Sequence, residues 1–471
     1  LPPSVTSLSW FALPMSLHHF SKQSTFAVDL KTLFAWHEKP GALERLIPPW
    51  DPLRVIRKDG HIHEGARVDL LLKAGPLPIP WRARHTGYAV NSFFRDEQER
   101  GPFRKFIHTH RFTEESPGFS TLNDTIDFEL PLGSVGDLFA GLIEKQLSRT
   151  FKYRHHVLGE DLLAHQENTG VLTFLISGAS GVVGQSLIPF LTTGGHRVIK
   201  LVRRLPVGHD EHFWNPLQGE LDLSTLAHID VVIHLAGENI GSGRWSAEKK
   251  KRILASRILG TRLLAEKIAA RSQKPQAFLS ASAIGFYGHR QDETLTEESS
   301  AGTDFISQVC AAWEEAAKPA AKAGIRLALL RIGIALTPKG GALQAMLGPA
   351  KFGIIGTLGS GRQYMSWLSI NDLIWAINHI VLTNELHGPI NICTPEPLTN
   401  NDFVKTLATK IGRPTLPAIP APLLRLRFGE MADEVPLAST RVTPEKLLAS
   451  GFRFRYPSLG NALDYLLGTI D

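Results

Sequence analysis

Cysteine is nearly absent from this 471-residue sequence, which holds only Cys310 and Cys393. Two thiols exclude a disulfide framework and a zinc centre built on four thiolates, and they set a reducing cytoplasm as the expected compartment. Long apolar runs are missing too: none approaches the roughly 18 to 20 residues that a membrane-crossing helix needs. Nor is there a block of one charge. The 51 basic and 45 acidic residues leave a formal charge of +6 spread along the chain, and a spread of that kind is no nucleic-acid footprint. The apolar stretch from Leu1 to Pro14 has neither a basic region before it nor a small-residue cleavage pattern after it, which argues against a signal peptide. Met15 reads as the natural start, and residues 1–14 are set apart from the fold. The composition, 43% hydrophobic and 20% charged, is that of an ordinary soluble protein. The length exceeds the roughly 250 to 300 residues that one core can serve, so at least two domains are expected.

The style of the sequence changes between Gly159 and Gly170, which reads as a linker over 159–170. Before it, strand candidates at Arg67–Lys73, Trp81–Val90, Arg104–Phe112 and Ser120–Leu130 alternate with turn clusters such as Ser116-Pro117-Gly118. A short helix is expected within Leu30–Arg45. A long one is expected over Val135–Tyr153, where Leu138, Phe139, Leu142, Ile143, Leu147 and Phe151 recur at helical spacing and require a sheet to lie against. A curved antiparallel sheet gripping a helix is an α+β domain, and its unclosed gap suits a small hydrophobic ligand. On Phe34-Ala35-Trp36-His37 and Gly101-Pro102-Phe103, residues 16–158 resemble the START-like, or polyketide cyclase, helix-grip superfamily.

Eleven of the 19 histidines precede residue 170. The pairs His61/His63 and His108/His110 have the two-residue spacing that puts both rings on one strand face. Neither pair has a carboxylate or cysteine at ligand spacing, and tetrahedral zinc needs three or four convergent ligands, so no metal site is expected.

From Val171 onward, apolar strands alternate with amphipathic helices, the mark of a parallel sheet covered on both faces. Strand Val171–Ser177 runs directly into Gly178-Ala179-Ser180-Gly181-Val182-Val183-Gly184 and then a helix. Glycines at such a turn let the backbone approach a pyrophosphate lying on the unpaired amides of the helix start. The second strand, Arg197–Val202, ends in Arg203-Arg204. An acid about 25 residues after the first glycine holds the ribose of NAD, and an arginine there accommodates the phosphate of NADP. No acid occurs between Gly178 and Asp210, so NADP is favoured over NAD. A third strand ends in His234-Leu235-Ala236-Gly237, and a fourth runs through Ser280-Ala281-Ser282 toward Tyr287.

These phrases, with Cys310-Ala311-Ala312-Trp313-Glu314-Glu315 and Gly359-Ser360-Gly361-Arg362-Gln363, make 171–471 resemble the extended short-chain dehydrogenase/reductase superfamily. Within it the match is to the sugar-nucleotide epimerase group also labelled SulA-like. The resemblance implies an α/β Rossmann doubly wound parallel sheet over 171–413, with the helical segment 414–471 that closes this group, preceded by the α+β helix-grip domain. It implies that Gly178, Ser180, Gly181, Val182, Val183 and Gly184 hold the pyrophosphate, and that Arg203 and Arg204 hold the adenosine phosphate. His234, Leu235, Ala236 and Gly237 would line the cofactor. Ser282 would take the substrate-orienting role, with Ser280 as the alternative, and Arg331 and Arg362 would contact an anionic substrate group.

The family's Tyr-x-x-x-Lys proton carrier is absent, since none of the six tyrosines has lysine four residues later. Tyr287, five residues beyond Ser282, is the substitute candidate, and a packed aromatic is its simpler reading. Two functions stay open. One is an NADP-dependent oxidoreductase or epimerase acting on a small carbonyl or hydroxyl substrate. The other is an NADP-binding regulator or sensor that binds a hydrophobic ligand or a protein partner. Oligomeric state is not legible.

Overall fold

The computed structural model describes residues 16–469 apart from Pro76, Thr169 and Ser242. The expected start at Met15 and the segment 1–14 lie outside the described residues. Internal contacts divide the chain into two compact units, with the division between Leu163 and Ala164.

The first unit is a seven-stranded sheet. Strands β1 (His18–Phe26), β2 (Arg54–Asp59), β3 (Arg67–Ala74), β4 (Leu77–Ala89), β5 (Phe93–Arg100), β6 (Lys105–Ser116) and β7 (Phe119–Glu129) pair in the order β1-β7-β6-β5-β4-β3-β2. Every pairing is antiparallel. Along β7 buried and half-buried residues alternate from Leu122 onward, as a strand with one covered face requires. Helix α1 (Leu30–Glu38), followed by the short α2 (Ala42–Leu46), starts at Asp29, whose carboxylate accepts from the Thr32 amide, satisfying one of the free amides of the first turn. Its Leu33, Phe34 and Trp36 pack with Phe94, Phe112 and Leu122 of the sheet.

The closing helix differs from expectation. It is α3 (Ala140–His165), so residues 159–165 of the supposed linker are its last two turns. The reason is packing: Leu158 and Leu162 join the core, and Asp161 receives both Nε and Nη2 of buried Arg45, at 2.6 and 2.8 Å. Only part of the expected apolar face meets the sheet. Ile143, Leu147 and Phe151 do, whereas Leu138, Phe139 and Leu142 are exposed.

The second unit is a parallel sheet of β8 (Thr173–Ser177), β9 (Arg197–Val202), β10 (Glu211–Phe213), β11 (Val231–His234), β12 (Ala277–Ala283), β13 (Arg326–Ile332) and β14 (Gly388–Ile392). Its order is β10-β9-β8-β11-β12-β13-β14, with every pairing parallel. Strand order therefore reverses between β8 and β11, and in open α/β sheets ligands bind in the crevice beyond the carboxyl ends of strands at that point. Helices α4 (Val182–Thr193), α5 (Ala247–Ala269) and α6 (Phe305–Lys322) connect the strands. Strands β8 and β11 are buried throughout apart from Thr173, as parallel strands covered on both faces are. The C-terminal segment is not helical alone: Leu416–Ile419 pairs with Gly356–Leu358, and Arg441–Val442 pairs with Thr294–Leu295. No described helix is long and apolar enough to cross a membrane.

Candidate functional site

The β8–α4 elbow is built by close backbone approach. Gly178 has φ +77°, and a Cβ there would lie 2.7 Å from the Leu235 carbonyl carbon; a Cβ on Gly184 would lie 2.5 Å from the Gly178 oxygen. Neither position tolerates a side chain, so the first and third glycines lock the elbow to β11 and to itself. Gly181 serves differently. It is exposed beside exposed Ser180 and forms the N-cap of α4 with no side chain bonded across the cap. That leaves the first-turn amides of Val182, Val183 and Gly184 facing an open backbone, the arrangement that suits a phosphate.

The two arginines after β9 divide their roles. Arg204 is spent: its guanidinium holds Glu211 through two bonds of 2.7 and 2.6 Å, and that hydrogen bonding brings the carboxyl down to about 2. Arg203 is exposed and has no ion-pair partner among the described residues. The third strand end also divides. His234 is fully buried, and its Nδ1 lies 2.6 Å from Ser177 Oγ, tying β11 to β8 below the crevice. Its side chain does not reach the crevice, which corrects the expected cofactor contact. Burial, reinforced by the Arg257 charge, lowers the ring to about 3. Leu235 and Ala236 are half-buried and Gly237 is exposed. Sequence reasoning gave no role to Arg257, whose guanidinium comes within 3.3 Å of where a Gly237 Cβ would stand and donates to the Glu238 carbonyl.

The residues expected to do chemistry are consumed in one buried network. Ser282 donates to Glu314 Oε1 at 2.7 Å. Arg331 grips the same carboxylate with Nε and Nη2, at 2.9 and 3.0 Å, and its Nη1 donates to the Tyr287 hydroxyl at 3.0 Å. That hydroxyl donates to Asn391 Oδ1 at 2.6 Å. Tyr287 is fully enclosed, while Ser282 and Arg331 are each 3% exposed. Burial pushes the phenol up to about 12 although Arg331 and Asn391 oppose it. Tyr287 is therefore a packed, locked aromatic and not a proton carrier, Arg331 is not an anion contact, and Ser282 has its hydroxyl proton committed to Glu314. Ser280 is fully buried, with its hydroxyl unpartnered. On α6, Cys310 and Glu314 sit one turn apart, the spacing that Tyr and Lys would take, and burial pushes the Cys310 thiol up to about 12. Arg362 alone among the expected substrate contacts is exposed, in the loop between Gly361 and Gln363.

The first unit encloses a second space of about 730 Å³ between the sheet and its helices, lined by apolar groups that include Leu70, Trp81, Phe106 and Leu147. One wall is polar, formed by His85, Asp96, His108 and His110. His61 and His63 lie in a turn, not on a strand, so the same-face expectation holds only for His108 and His110 on β6. The premise behind expecting no metal fails here, because carboxylates arrive from neighbouring strands.

A glycine elbow with an open helix start at the reversal point of a parallel sheet defines the second unit as a Rossmann-type NAD(P)-binding protein. The sequence of residues 174–393 matches the NAD dependent epimerase/dehydratase family, and residues 419–466 match a domain of unknown function, DUF1731. An epimerase family protein of Mycobacterium bovis is 39% identical over 290 residues, 62% of this chain and 96% of that protein. The epimerase family protein YfhF of Bacillus subtilis is 36% identical over 63% of this chain and 98% of its own. Among solved structures, a nucleoside-diphosphate sugar epimerase from Corynebacterium glutamicum aligns over 96% of this chain and 90% of its own, with TM-score 0.80 and 33% identity. Human epimerase family protein SDR39U1, solved with NADPH, aligns over 64% of this chain and 100% of its own, with TM-score 0.59 and 31% identity. The chain belongs to the NAD-dependent epimerase/dehydratase family.

Proposed function

We propose that the second unit binds NADP in preference to NAD and uses it on a small hydroxyl or carbonyl substrate, with a nucleotide sugar as the leading class. The observation that carries the cofactor preference is exposed Arg203, placed where an NAD-binding protein has an acid, with Glu211 on the neighbouring strand neutralised by Arg204. Gly181 and the first-turn amides of α4 would take the diphosphate, and Ala236 and Gly237 the adenosine side. When bound, the nicotinamide supplies hydride transfer, and the protein orients it. Arg362 would hold an anionic substrate group such as a diphosphate, by the bidentate geometry that guanidinium offers. The relatives' epimerase names support the substrate class.

A second reading rests on the buried network. With Ser282, Tyr287 and Arg331 committed to one another and to Glu314, none of these three is a free proton carrier, a group typically worth about a hundredfold to ten-thousandfold in rate. A slow or non-catalytic NADP-dependent sensor follows from that. The first unit would be a START-like helix-grip domain over 16–158 whose cavity holds a small hydrophobic ligand; its antiparallel sheet, the long α3 and the apolar lining support this. Two buried free thiols accord with a reducing cytoplasm.

Calorimetry with NADPH and NADH tests the cofactor, and no heat with either overturns both readings. Absorbance of bound NADPH near 340 nm, followed against a panel of carbonyl compounds and nucleotide sugars, separates them: turnover supports the enzyme, and a nucleotide that never turns over supports the sensor.

A further inference from the structure

Three strands of the first unit contribute to a single row across the sheet. His85 on β4 pairs in register with Asp96 on β5, and Asp96 pairs with His108 on β6. His110, two residues on, shares His108's face and pairs with Asp124 on β7. All except Asp124 line the cavity. One donor atom from each of Asp96, His108 and His110 lies within 4.8 Å of the other two. Asp96 Oδ1 stands 3.5 Å from His108 Nδ1 and 3.8 Å from His110 Nε2. Donors about 2.0 to 2.1 Å from a zinc ion are separated by about 3.3 to 3.4 Å along a tetrahedron's edge, so both edges to Asp96 are within a few tenths of an ångström of that spacing, and the third, between the two rings, is no longer than 4.8 Å.

The opposite ring nitrogens both lie against Asp124. His108 Nε2 bonds Asp124 Oδ1 at 3.1 Å, and His110 Nδ1 makes a 2.5 Å ion-pair contact with the same oxygen. Asp124 is in turn held by His155 Nε2 at 2.7 Å, and His155 Nδ1 reaches Ser24 Oγ at 2.8 Å. A buried carboxylate behind two histidines is the outer support that fixes ring orientation and raises donor strength in metal centres. His85, 7% exposed, leaves Nδ1 without a partner beside this group, a polar atom that a metal-bound water or ligand oxygen would satisfy.

We propose that Asp96, His108 and His110 bind one divalent transition-metal ion, zinc or ferrous iron, with Asp124 as the positioning carboxylate and an open coordination position facing the apolar cavity. Two imidazoles and one carboxylate suit either ion. Three protein ligands with the remaining position open are the pattern of a site that takes an exogenous oxygen donor. The ligand class that fits both metal and cavity is a small apolar molecule carrying a carboxylate, carbonyl or hydroxyl group.

The test uses the full chain, stripped by chelator and titrated with Co(II), then Zn(II), and with Fe(II) under anaerobic conditions. One equivalent is expected, with the visible absorption of four-coordinate Co(II) displaced by zinc. His108→Ala and His110→Ala should abolish it, and Asp124→Asn should weaken it about 10- to 100-fold. X-ray absorption of the zinc-loaded wild-type protein should show two imidazoles, and this holds the proposal to account even where a histidine variant fails to fold. Absence of stoichiometric binding of all three ions, unchanged binding by the folded histidine variants, or a spectrum without paired imidazoles each overturns it.

Discussion

The polar clusters of the two units each gather around a buried carboxylate and end in opposite states. In the parallel-sheet unit, Ser282, Glu314, Arg331, Tyr287 and Asn391 are hydrogen-bonded to one another in a single network closed within the fold. In the antiparallel unit, Asp96, His108 and His110 share one wall of an apolar cavity, and their inward-facing atoms have only each other. The difference lies in what backs each group. Glu314 meets a cation of fixed charge in Arg331, which leaves nothing over. Asp124 meets His108, His110 and His155, and the second nitrogens of His108 and His110 remain for another partner.

The largest effect that would sharpen the contrast comes from the elbow. Gly178→Val places a branched side chain where even a Cβ meets backbone at 2.7 Å, and should abolish detectable NADPH binding or prevent accumulation of folded protein. Calorimetry with wild-type-like binding by this variant would displace the nucleotide from the elbow. Next comes the closed network. Glu314→Ala strands Arg331, 3% exposed, and removing one partner of a buried pair costs about 3 to 5 kcal/mol, measurable by urea unfolding. Tyr287→Phe should cost about 1 to 3 kcal/mol, because Asn391 and Arg331 lose a partner, while turnover changes less than about twofold. A collapse of turnover at unchanged stability would return Tyr287 to the chemistry and erase the contrast.

Much of the parallel unit is legible in sequence because each of its signals is local. The glycines at 178, 181 and 184 specify one turn, and Arg197–Val202 coincides with β9. The cluster chemistry is not legible, because cross-strand partners set it. Nothing in the spacing of His108 and His110 announces Asp96 or Asp124, which β5 and β7 deliver through register. Nothing near Tyr287 announces Asn391, more than a hundred residues away on edge strand β14. The end of α3 misleads for a related reason: Gly159-Glu160-Asp161 looks like a linker until Arg45 neutralises Asp161.

The paired arginines offer a finer discrimination. Arg203→Ala should lower NADPH affinity about tenfold, near 1.4 kcal/mol, and leave NADH unaffected. Arg204→Ala should change either by less than about threefold, since its guanidinium already serves Glu211. Competition binding with the two dinucleotides measures both, and equal losses would mean that Arg204 turns from Glu211 to the phosphate.

The last effect is a pH slope, and its sign separates a buried structural histidine from a titrating one. His234 is lowered from its ordinary 6.5 to about 3 by burial and Arg257. Between those values the unfolded chain binds a proton that the native chain refuses. Its contribution is complete above about pH 6.5 and is lost as pH falls toward 3, with a slope of at most about 1.4 kcal/mol per pH unit. His234→Gln, which keeps a polar partner for Ser177, should unfold in urea with a slope shallower by up to one proton between pH 6.5 and 4.5. The relevant transition is the one that NADPH shifts, since ligand binding stabilises only the unit that holds it. Equal slopes in variant and parent would mean that His234 carries a proton in the native state, and the tie between β8 and β11 would then be an ionic one.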